Sequence, residues 1–313
     1  MNVRSVASGR SIPSITPASI AVEFSLDDFL KWRPLLLSIA YRMLGSLADA
    51  EDILQDAFLR WQQASSGEIR SPKAFLVTVV TRLCINHLQS ARVQREQYVG
   101  EWLPEPVVTS AGNDPSLPPQ MDESLSLAFL FLLERLTPVE RAVFLLREVF
   151  DYEYSEVAKI AGQSEVNCRQ IFRRARLHIK NMRPRFDASP IAKEKLLRQF
   201  IDASSRGDIE GLLQLFSSDI AVHTDGGGKA SALMNPVFGR ERAARLMAGA
   251  ARKFRPEGAI LQLRQVNGQP GFITCVNGQV RTVITMDVVD GQICRIYILR
   301  NPDKLHHVAP LAC

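Results

Sequence analysis

The sequence predicts a multidomain protein in which two all-α units precede an α+β domain. The first half of the chain has apolar residues at helical spacing, interrupted between residues 101 and 120 by a segment with five prolines. From about residue 260 the apolar residues instead alternate with period two between Asn-Gly and Asp-Gly pairs, which is typical of antiparallel hairpins. A chain of 313 residues is long enough for two or three folded units.

The composition excludes several classes of protein. With 46% hydrophobic residues and a net charge of +5, the chain is an ordinary globular protein. It has no apolar run near the roughly 20 residues that a membrane helix needs, and we expect residues 1–22 to be a disordered tail rather than a signal peptide. We therefore expect a cytoplasmic protein without a metal, a cofactor or a disulfide framework, because its cysteines are scattered and form no CxxC pair. They are Cys84, Cys168, Cys275, Cys294 and Cys313.

The first unit, residues 23–100, is expected to contain three helices. The first helix begins after Ser25 and ends at Gly45. Ser46 followed by Asp49 is the capping signal of the second helix. Ser71-Pro72 opens the third, because proline is tolerated at the first helical position.

Residues 101–121 read as a linker, and residues 122–186 as a second helical unit that contains a helix-turn-helix. A short helix, Ser155 to Ile160, is followed by Gly162 at the turn. Ser164 caps the next helix, whose buried face has apolar residues at helical spacing from Cys168 to Ile179.

The second helix of this motif is a candidate for DNA binding. No acidic residue occurs between Glu165 and Asp187, so its exposed faces suit the major groove, with base reading near its start and phosphate contacts further along. The alternative is a solvated basic helix on a bundle. The candidate DNA-binding residues are Ser164, Glu165, Asn167, Arg169, Gln170, Arg173, Arg174 and Arg176.

Charge is distributed unevenly over the first unit as well. Acidic residues cluster on its second helix, whereas residues 69–95 contain no acid and five basic residues. This pattern is expected if the unit binds a basic protein with one surface and DNA with another. The alternative is charge neutralisation between neighbouring helices, which contributes little when exposed.

Residues 187–313 are expected to form the α+β domain. Two amphipathic helices, 191–206 and 209–216, lead into a short strand, 220–223, and the loop DGGGK. A helix near residues 239–253 precedes a meander of strands, with turns at Asn267-Gly268, Asn277-Gly278 and Asp290-Gly291.

These residues resemble the extracytoplasmic-function sigma factors of bacterial RNA polymerase over nearly the whole chain. The run from Arg33 to Trp61 is similar to the start of sigma region 2, whose acidic helix binds the β′ coiled coil of the polymerase core. The resemblance implies that polymerase is bound by Asp49, Glu51, Asp52, Gln55 and Asp56. It also implies that −10 promoter DNA is contacted by Arg82, Asn86, Arg92 and Arg95, and that the helix-turn-helix is region 4, which reads the −35 element.

Three pentapeptides, WLPEP, DGGGK and NPDKL, are similar to those that mark one subgroup of these sigma factors. Members of that subgroup carry a fused SnoaL-like domain, which is a cone-shaped α+β fold. In that subgroup the C-terminal domain is thought to regulate sigma activity in cis, so no dedicated anti-sigma protein is required. We expect this domain to pack on both sigma units and on the linker, with Trp102 as the apolar anchor. The expected regulatory interface is Trp102, Leu103, Pro104, Glu105 and Pro106 (WLPEP), Asp225, Gly226, Gly227, Gly228 and Lys229 (DGGGK), and Asn301, Pro302, Asp303, Lys304 and Leu305 (NPDKL).

Other functions of the C-terminal domain stay open at this point. His223 and Asp225 form the only suggestive catalytic pair, but a histidine at a strand end is more often structural. A pocket for a small-molecule ligand and a purely protein-contacting domain are the other possibilities. DGGGK lacks the GxxxxGK[ST] spacing of a phosphate loop, and His306-His307 is expected in a solvated C-terminus.

The competing interpretation of the whole chain is a ligand-sensing helix-turn-helix regulator without sigma activity. It accounts for residues 150–313 but leaves the acidic helix and the basic stretch 69–95 unexplained. The sequence therefore favours a binding protein rather than an enzyme, directed to polymerase and to promoter DNA.

Overall fold

The computed structural model describes residues 26–64, 69, 71–96, 98–109, 125–180, 189–253 and 258–309. The first unit is a bundle of three helices, α1 (Leu26–Leu44), α2 (Leu47–Gln63) and α3 (Pro72–Glu96). Ser46 caps α2 as predicted, because its side chain accepts a hydrogen bond from the Asp49 backbone.

The second unit contains α4 (Leu127–Leu133), α5 (Pro138–Glu148), α6 (Tyr154–Ala161) and α7 (Glu165–Lys180). The helices α6 and α7 form the predicted helix-turn-helix, with Gly162 in a left-handed conformation between them. The buried face of α7 includes Cys168, Ile171 and Ile179, also as predicted.

The third unit is an α+β domain around one sheet. Its elements are α8 (Pro190–Arg206), α9 (Ile209–Leu215), β2 (Phe216–Asp225), β3 (Val237–Phe238), α10 (Arg240–Lys253), β4 (Ile260–Val266), β5 (Gln269–Val276), β6 (Gln279–Val289), β7 (Gln292–Leu299) and α11 (Pro302–Leu305). The linker adds an edge strand, β1 (Val108–Thr109), so that the strand order is β1-β4-β5-β6-β7-β2-β3. The predicted meander is confirmed from β4 to β7, and β2 lies parallel to β7.

The described residues form three apolar cores. One core extends through both helical units, so that residues of α1, α2 and α3 pack together with residues of α5, α6 and α7. A second lies between the sheet and the helices of the α+β domain. The third lies on the opposite face of the sheet, where Leu103 of the linker and Leu127 of α4 pack on β-strand residues such as Tyr297 and Leu299.

Three local predictions differ from the structure. The strand expected at 220–223 is the longer β2, because its residues pair with β7 as far as Asp225. NPDKL, expected to be non-helical, contains the single turn α11, since Asn301 caps it and Pro302 occupies its first position. His307, expected in solvent, is half-buried against the linker.

No helix among the described residues is both long enough and apolar enough to cross a membrane.

Candidate functional site

The acidic surface of α2 is largely open to solvent. Asp52, Gln55 and Asp56 are exposed on one side of the helix, as expected of a docking surface. Asp49 lies 3.6 Å from His87, and Glu51 accepts two hydrogen bonds from Arg33 at 2.7 and 2.8 Å. Three of the five predicted polymerase-binding residues are therefore exposed to solvent. The other two, Asp49 and Glu51, are half-exposed and lie next to a basic side chain of the same unit.

The basic surface of α7 is also exposed to solvent. The Ser164 hydroxyl accepts a hydrogen bond from the Asn167 backbone and fixes the start of the helix. Arg169 stacks over the Tyr154 ring, 4.3 Å from its centroid, and its guanidinium lies 3.7 Å from the Glu165 carboxylate. Asn167 is half-buried, and the exposed members of the predicted set are Ser164, Glu165, Arg169, Gln170, Arg173, Arg174 and Arg176.

The predicted −10 surface on α3 is partly covered by the second unit. Arg82 donates from Nε to the carbonyl of Ile160 and from Nη2 to that of Lys159, at 3.1 and 2.8 Å. These carbonyls lie at the C-terminus of α6, where a cation is favoured by the helix dipole. Asn86 is exposed on α3. Arg92 and Arg95 belong to the same helix, but their side chains lie outside the described part of the chain.

A second arginine makes the reciprocal contact between the helical units. Arg141 of α5 is buried and donates to the carbonyl of Met43, near the C-terminus of α1, at 2.5 Å. It also donates to the Glu134 carboxylate at 2.6 Å. Each helical unit thus supplies an arginine that binds a helix end of the other unit.

The three predicted interface segments meet around the Asp225 carboxylate, which is completely buried. Its Oδ1 accepts from the Tyr98 hydroxyl at 2.6 Å and from the Gly227 backbone at 3.0 Å. Its Oδ2 accepts from the Leu103 backbone at 2.9 Å and from Lys304 Nζ at 2.7 Å. We call the contact of residues 98–107 with residues 225–233 and 300–308 the junction.

Lys304 is the cation of the junction. Its ammonium group donates to the Leu103 carbonyl at 2.5 Å and lies 4.1 Å from the Trp102 ring centroid. A second pair, Lys229 with Asp303, joins DGGGK to NPDKL at 2.5 Å on the exposed rim. The buried pair near Asp225 is the stronger of the two because solvent does not screen it.

Small residues are required where these segments approach one another. A Cβ on Gly45 would lie 2.8 Å from the Trp102 ring, so the end of α1 admits the tryptophan only because Gly45 lacks a side chain. Gly227 has a φ of 59°, and a side chain there would collide with Asn301. The Asn301 amide in turn donates to the Tyr98 hydroxyl at 2.8 Å. Of the remaining residues of the predicted set, the buried ones are Leu103, Pro104, Pro106 and Leu305. Gly226 lies against Ala230 and Ala232, and Gly228 lies against Val99. Pro302 is exposed.

Glu105 connects the linker to the first helical unit. Its carboxylate accepts from the Leu47 backbone at 2.7 Å, at the N-terminus of α2, and lies 2.8 Å from His307 Nδ1. Burial alone raises the pKa of Glu105, but the hydrogen bonds from His307 and Leu47 outweigh it and leave the pKa below its ordinary value. Burial by itself lowers the pKa of His307. The hydrogen bond and the negative charge of Glu105 together have a larger, opposite effect, so the pKa of His307 is raised above its ordinary value.

Asn267 makes a further contact with the linker, outside the junction, and the sequence identified it only as part of a hairpin turn. It is buried at the end of β4, with a φ of 51°. Its amide donates to the Tyr41 hydroxyl at 2.7 Å and to the Leu125 carbonyl at 2.9 Å, and it accepts from the Val107 backbone at 3.0 Å. One turn thus contacts both helical units and the linker.

His223 and Asp225, the suggestive catalytic pair, are both engaged in contacts between units. His223 Nδ1 lies 2.9 Å from the Glu101 carboxylate, and the ring stacks on Tyr297 and packs against Phe131 of α4. Four donors contact the Asp225 oxygens, so that both side chains hold contacts between strand β2 of the α+β domain and the rest of the chain.

Comparison with known proteins agrees with this arrangement. Residues 29–93 match the Sigma-70 region 2 family, and residues 126–179 match the family described as Sigma-70, region 4. The ECF RNA polymerase sigma factor SigJ of Mycobacterium tuberculosis is 35% identical over 290 residues, which cover 89% of this chain and 92% of the relative. The chain belongs to the extracytoplasmic-function RNA polymerase sigma factors.

Two further relatives support the assignment of this sigma factor. A protein described as a probable ECF sigma factor SigI, also from Mycobacterium tuberculosis, is 32% identical over 87% of this chain and 92% of its own length. The crystal structure of Mycobacterium tuberculosis SigJ superposes with a TM-score of 0.75 at 34% identity, covering 92% of this chain and all of that one. The α1–α3 bundle is therefore region 2, the α4–α7 unit is region 4, and the α+β unit is the SnoaL-like domain. Family membership removes the alternative of a regulator without sigma activity.

Proposed function

We propose that this sigma factor, which directs RNA polymerase to promoters, is regulated in cis by its own SnoaL-like domain, which favours a closed arrangement of regions 2 and 4. We call this arrangement the closed state. In this closed state the SnoaL-like domain binds regions 2 and 4 and the linker at the junction. The observation that carries the proposal is the shared apolar core of regions 2 and 4, together with the Arg82 and Arg141 contacts between them.

The spacing of the promoter elements requires this closed state to open. The −10 and −35 elements are separated by about 25 base pairs, which is roughly 85 Å of duplex at 3.4 Å per base pair. Two units that pack in one core cannot bind both elements at once. Region 2 must therefore separate from region 4 when the polymerase and both elements are bound.

The exposed surfaces suggest how recruitment precedes opening. The residues Asp52, Gln55 and Asp56 on α2, and the arginines of α7, are exposed in the closed state. We propose that polymerase and the −35 element engage these surfaces first. Arg82 becomes available to −10 DNA only when it leaves the carbonyls at the end of α6.

The covalent connection makes a separate anti-sigma protein unnecessary in this proposal. A tethered domain acts at a high effective concentration, so modest contacts suffice to keep the closed state dominant. The partners are then the polymerase core, promoter DNA and a small-molecule ligand of the SnoaL-like domain, all of them consistent with a cytoplasmic location.

The test is a distance measured between regions 2 and 4. In a chain in which Cys294 and Cys313 are replaced by serine, spin labels on Leu59→Cys of α2 and Leu177→Cys of α7, both exposed, report the separation of the two units. We expect one short distance in the free protein and a distance longer by tens of ångströms with core polymerase and promoter DNA. An unchanged distance in a transcribing complex would refute the closed-state proposal.

A further inference from the structure

The SnoaL-like domain contains a cavity of about 420 Å³ between the sheet and the helices α8 and α10. This volume is in the range of small-molecule sites. Its walls include Phe200 of α8, Met247 of α10 and Phe272 of β5. The cavity lies on the face of the sheet that the helices cover, whereas the linker and region 4 pack on the opposite face.

The lining defines the kind of ligand that fits. Most of it is aliphatic or aromatic, and Arg300 is the only charged residue among the described residues that line it. Arg300 donates to the Ser231 carbonyl at 2.7 Å, which holds the guanidinium at one edge of the cavity. An apolar molecule with one anionic oxygen group complements such a wall.

Ser204 supplies a second polar group. It lines the cavity from α8, and its hydroxyl is buried without a hydrogen-bond partner among the described residues. A buried hydroxyl normally has a partner, because leaving it without one costs free energy. The hydroxyl oxygen itself has no surface open to the cavity, so a ligand atom would satisfy it after the Ser204 side chain rotates towards the cavity.

The strands beneath the cavity also form the junction. Side chains alternate between the two faces of a strand. In β2, Thr224 faces the cavity while its neighbours His223 and Asp225 face the junction. In β7 and just beyond it, Ile298 and Arg300 line the cavity while Tyr297 and Leu299 pack under Leu103 and α4.

The loop after DGGGK connects the two sites directly. Residues 231–233 line the cavity, and both Leu233 backbone groups contact the Thr224 hydroxyl. The Arg300 backbone donates to the Asp225 carbonyl at 2.7 Å. A ligand that moves this loop or Arg300 therefore also displaces the segments that surround Asp225.

We propose that this cavity binds a hydrophobic small molecule with one carboxylate-like group, held by Arg300 and Ser204, and that binding shifts the closed state through β2, β7 and residues 231–233. The second half of this inference rests on the closed-state proposal, whereas the binding site does not.

Binding is tested on the full chain with the fluorescent probe 8-anilinonaphthalene-1-sulfonate, which is apolar and carries one anionic group. We expect saturable fluorescence that Ala250→Trp, which fills the cavity, abolishes while thermal unfolding stays cooperative. Arg300→Gln should weaken binding about tenfold or more, and Ser204→Ala about threefold. Arg281→Gln, which removes an exposed cation of β6 outside the cavity, should leave binding within about twofold of the wild type.

Competition experiments distinguish the contribution of the ligand's anionic group from that of its apolar part. We expect 2-naphthoate to displace the probe at a lower concentration than neutral 2-naphthamide, and Arg300→Gln to remove this difference. Probe binding that is unaffected by both Ala250→Trp and Arg300→Gln would overturn the site. Equal competition by the acid and the amide would overturn the role of Arg300.

Coupling is tested with the spin-labelled pair on α2 and α7. Saturating 2-naphthoate should change the population of the short distance in the wild type but not in Ala250→Trp. Tight binding with no change in that population would overturn the coupling and leave both the site and the closed state standing. A short distance that never lengthens with polymerase and promoter would instead count against the closed-state proposal, and with it the coupling, and would leave only the binding site standing.

Discussion

At the scale of single residues, the junction depends on a buried charge pair whose members have several other partners. Removing two charges from water costs several kcal/mol per ion, and their attraction compensates only when further hydrogen bonds satisfy them. Asp225 meets this condition with Tyr98, Gly227 and Leu103, and Lys304 meets it with the Leu103 carbonyl. Because Tyr98 and Leu103 lie outside the α+β domain, this pair keeps all its partners only while residues 98–107 stay docked.

The first prediction concerns the charge of Asp225. Asp225→Asn should open the junction, because Lys304 is left buried without its anion, at a cost of about 3–5 kcal/mol. Limited proteolysis within the linker should become much faster. The matched control is Asp303→Asn, which removes the exposed partner of Lys229 and should cost below about 1 kcal/mol. Equal protease sensitivity of the two variants would contradict the role given to Asp225.

The second prediction concerns pH and the His307–Glu105 pair. The raised pKa of His307 contributes stability that is fully present below about 6.5 and is lost as pH rises through the folded-state value. The lowered pKa of Glu105 contributes stability above about 4.5 that is lost as pH falls through its folded-state value. The pair therefore stabilises the junction most between these limits.

The measurement compares the wild type with His307→Gln. The difference between their free energies of unfolding should be largest near pH 5.5 and shrink towards pH 9. Burial raises the pKa of Asp287 to about 6, so this group titrates in the same pH range. Its effect on the free energy of unfolding is common to both chains and cancels in the difference between them. A difference that grows with rising pH would show that the pair does not carry its charge in the folded state.

At the scale of elements, α2 illustrates how a surface is kept for a partner. The apolar residues Ile53, Leu54 and Trp61 fix the helix in the region 2 core, and the acidic residues lie on the opposite side. Exposed acids of this kind contribute little to folding. Their effect is expected on association with a basic partner, which complementary charge accelerates and orients.

The third prediction reverses that charge. The double variant Asp52→Lys with Asp56→Lys should lower the affinity for core polymerase at least about tenfold and abolish transcription, while the melting temperature changes little. Glu210→Lys, at an exposed site on α9 in the SnoaL-like domain, is the control. Full transcription by the double variant in vitro would refute the polymerase-binding assignment of α2.

Sequence reasoning was strongest for elements with a local signal. The Ser46 cap, the Gly162 turn and the three Asn-Gly or Asp-Gly turns depend on neighbouring residues, and all five appear where the pattern predicts them. The β2–β7 pairing and the half-buried position of His307 depend on segments distant in the chain, which no local pattern encodes. The α11 turn does have a local signal, the Asn301 cap followed by Pro302, which the prediction of a non-helical segment overlooked. The WLPEP, DGGGK and NPDKL motifs identified the junction through resemblance to a family, whereas Arg141 and Asn267 had no signal that distinguished them from core or turn residues.

At the scale of the whole molecule, the closed state must be stable in the free protein and still open on a promoter. A ligand or partner shifts such an equilibrium only by its difference in affinity for the two states, and a change from 1:99 to 99:1 takes about 5.5 kcal/mol. Contacts between units of a few kcal/mol each are therefore suitable, and far stronger ones would prevent transcription. Asn267 is a contact of this size, since it joins the linker, α1 and the start of region 4 through single hydrogen bonds.

The fourth prediction uses two turns with the same backbone to isolate that contact. Asn267 and Asn277 both precede a glycine in a hairpin and both have a φ of 51°, but Asn277 is exposed. Replacing either by alanine costs about 1–2 kcal/mol for the left-handed conformation. Only Asn267→Ala also loses three side-chain hydrogen bonds between units, about 1 kcal/mol each. By small-angle scattering we expect a larger radius of gyration for Asn267→Ala than for Asn277→Ala, with earlier release of region 2 in the spin-label measurement. Indistinguishable radii for the two variants would mean that the turn does not stabilise the closed state, which would then depend on the shared apolar core, the Asp225 segments and the arginine contacts.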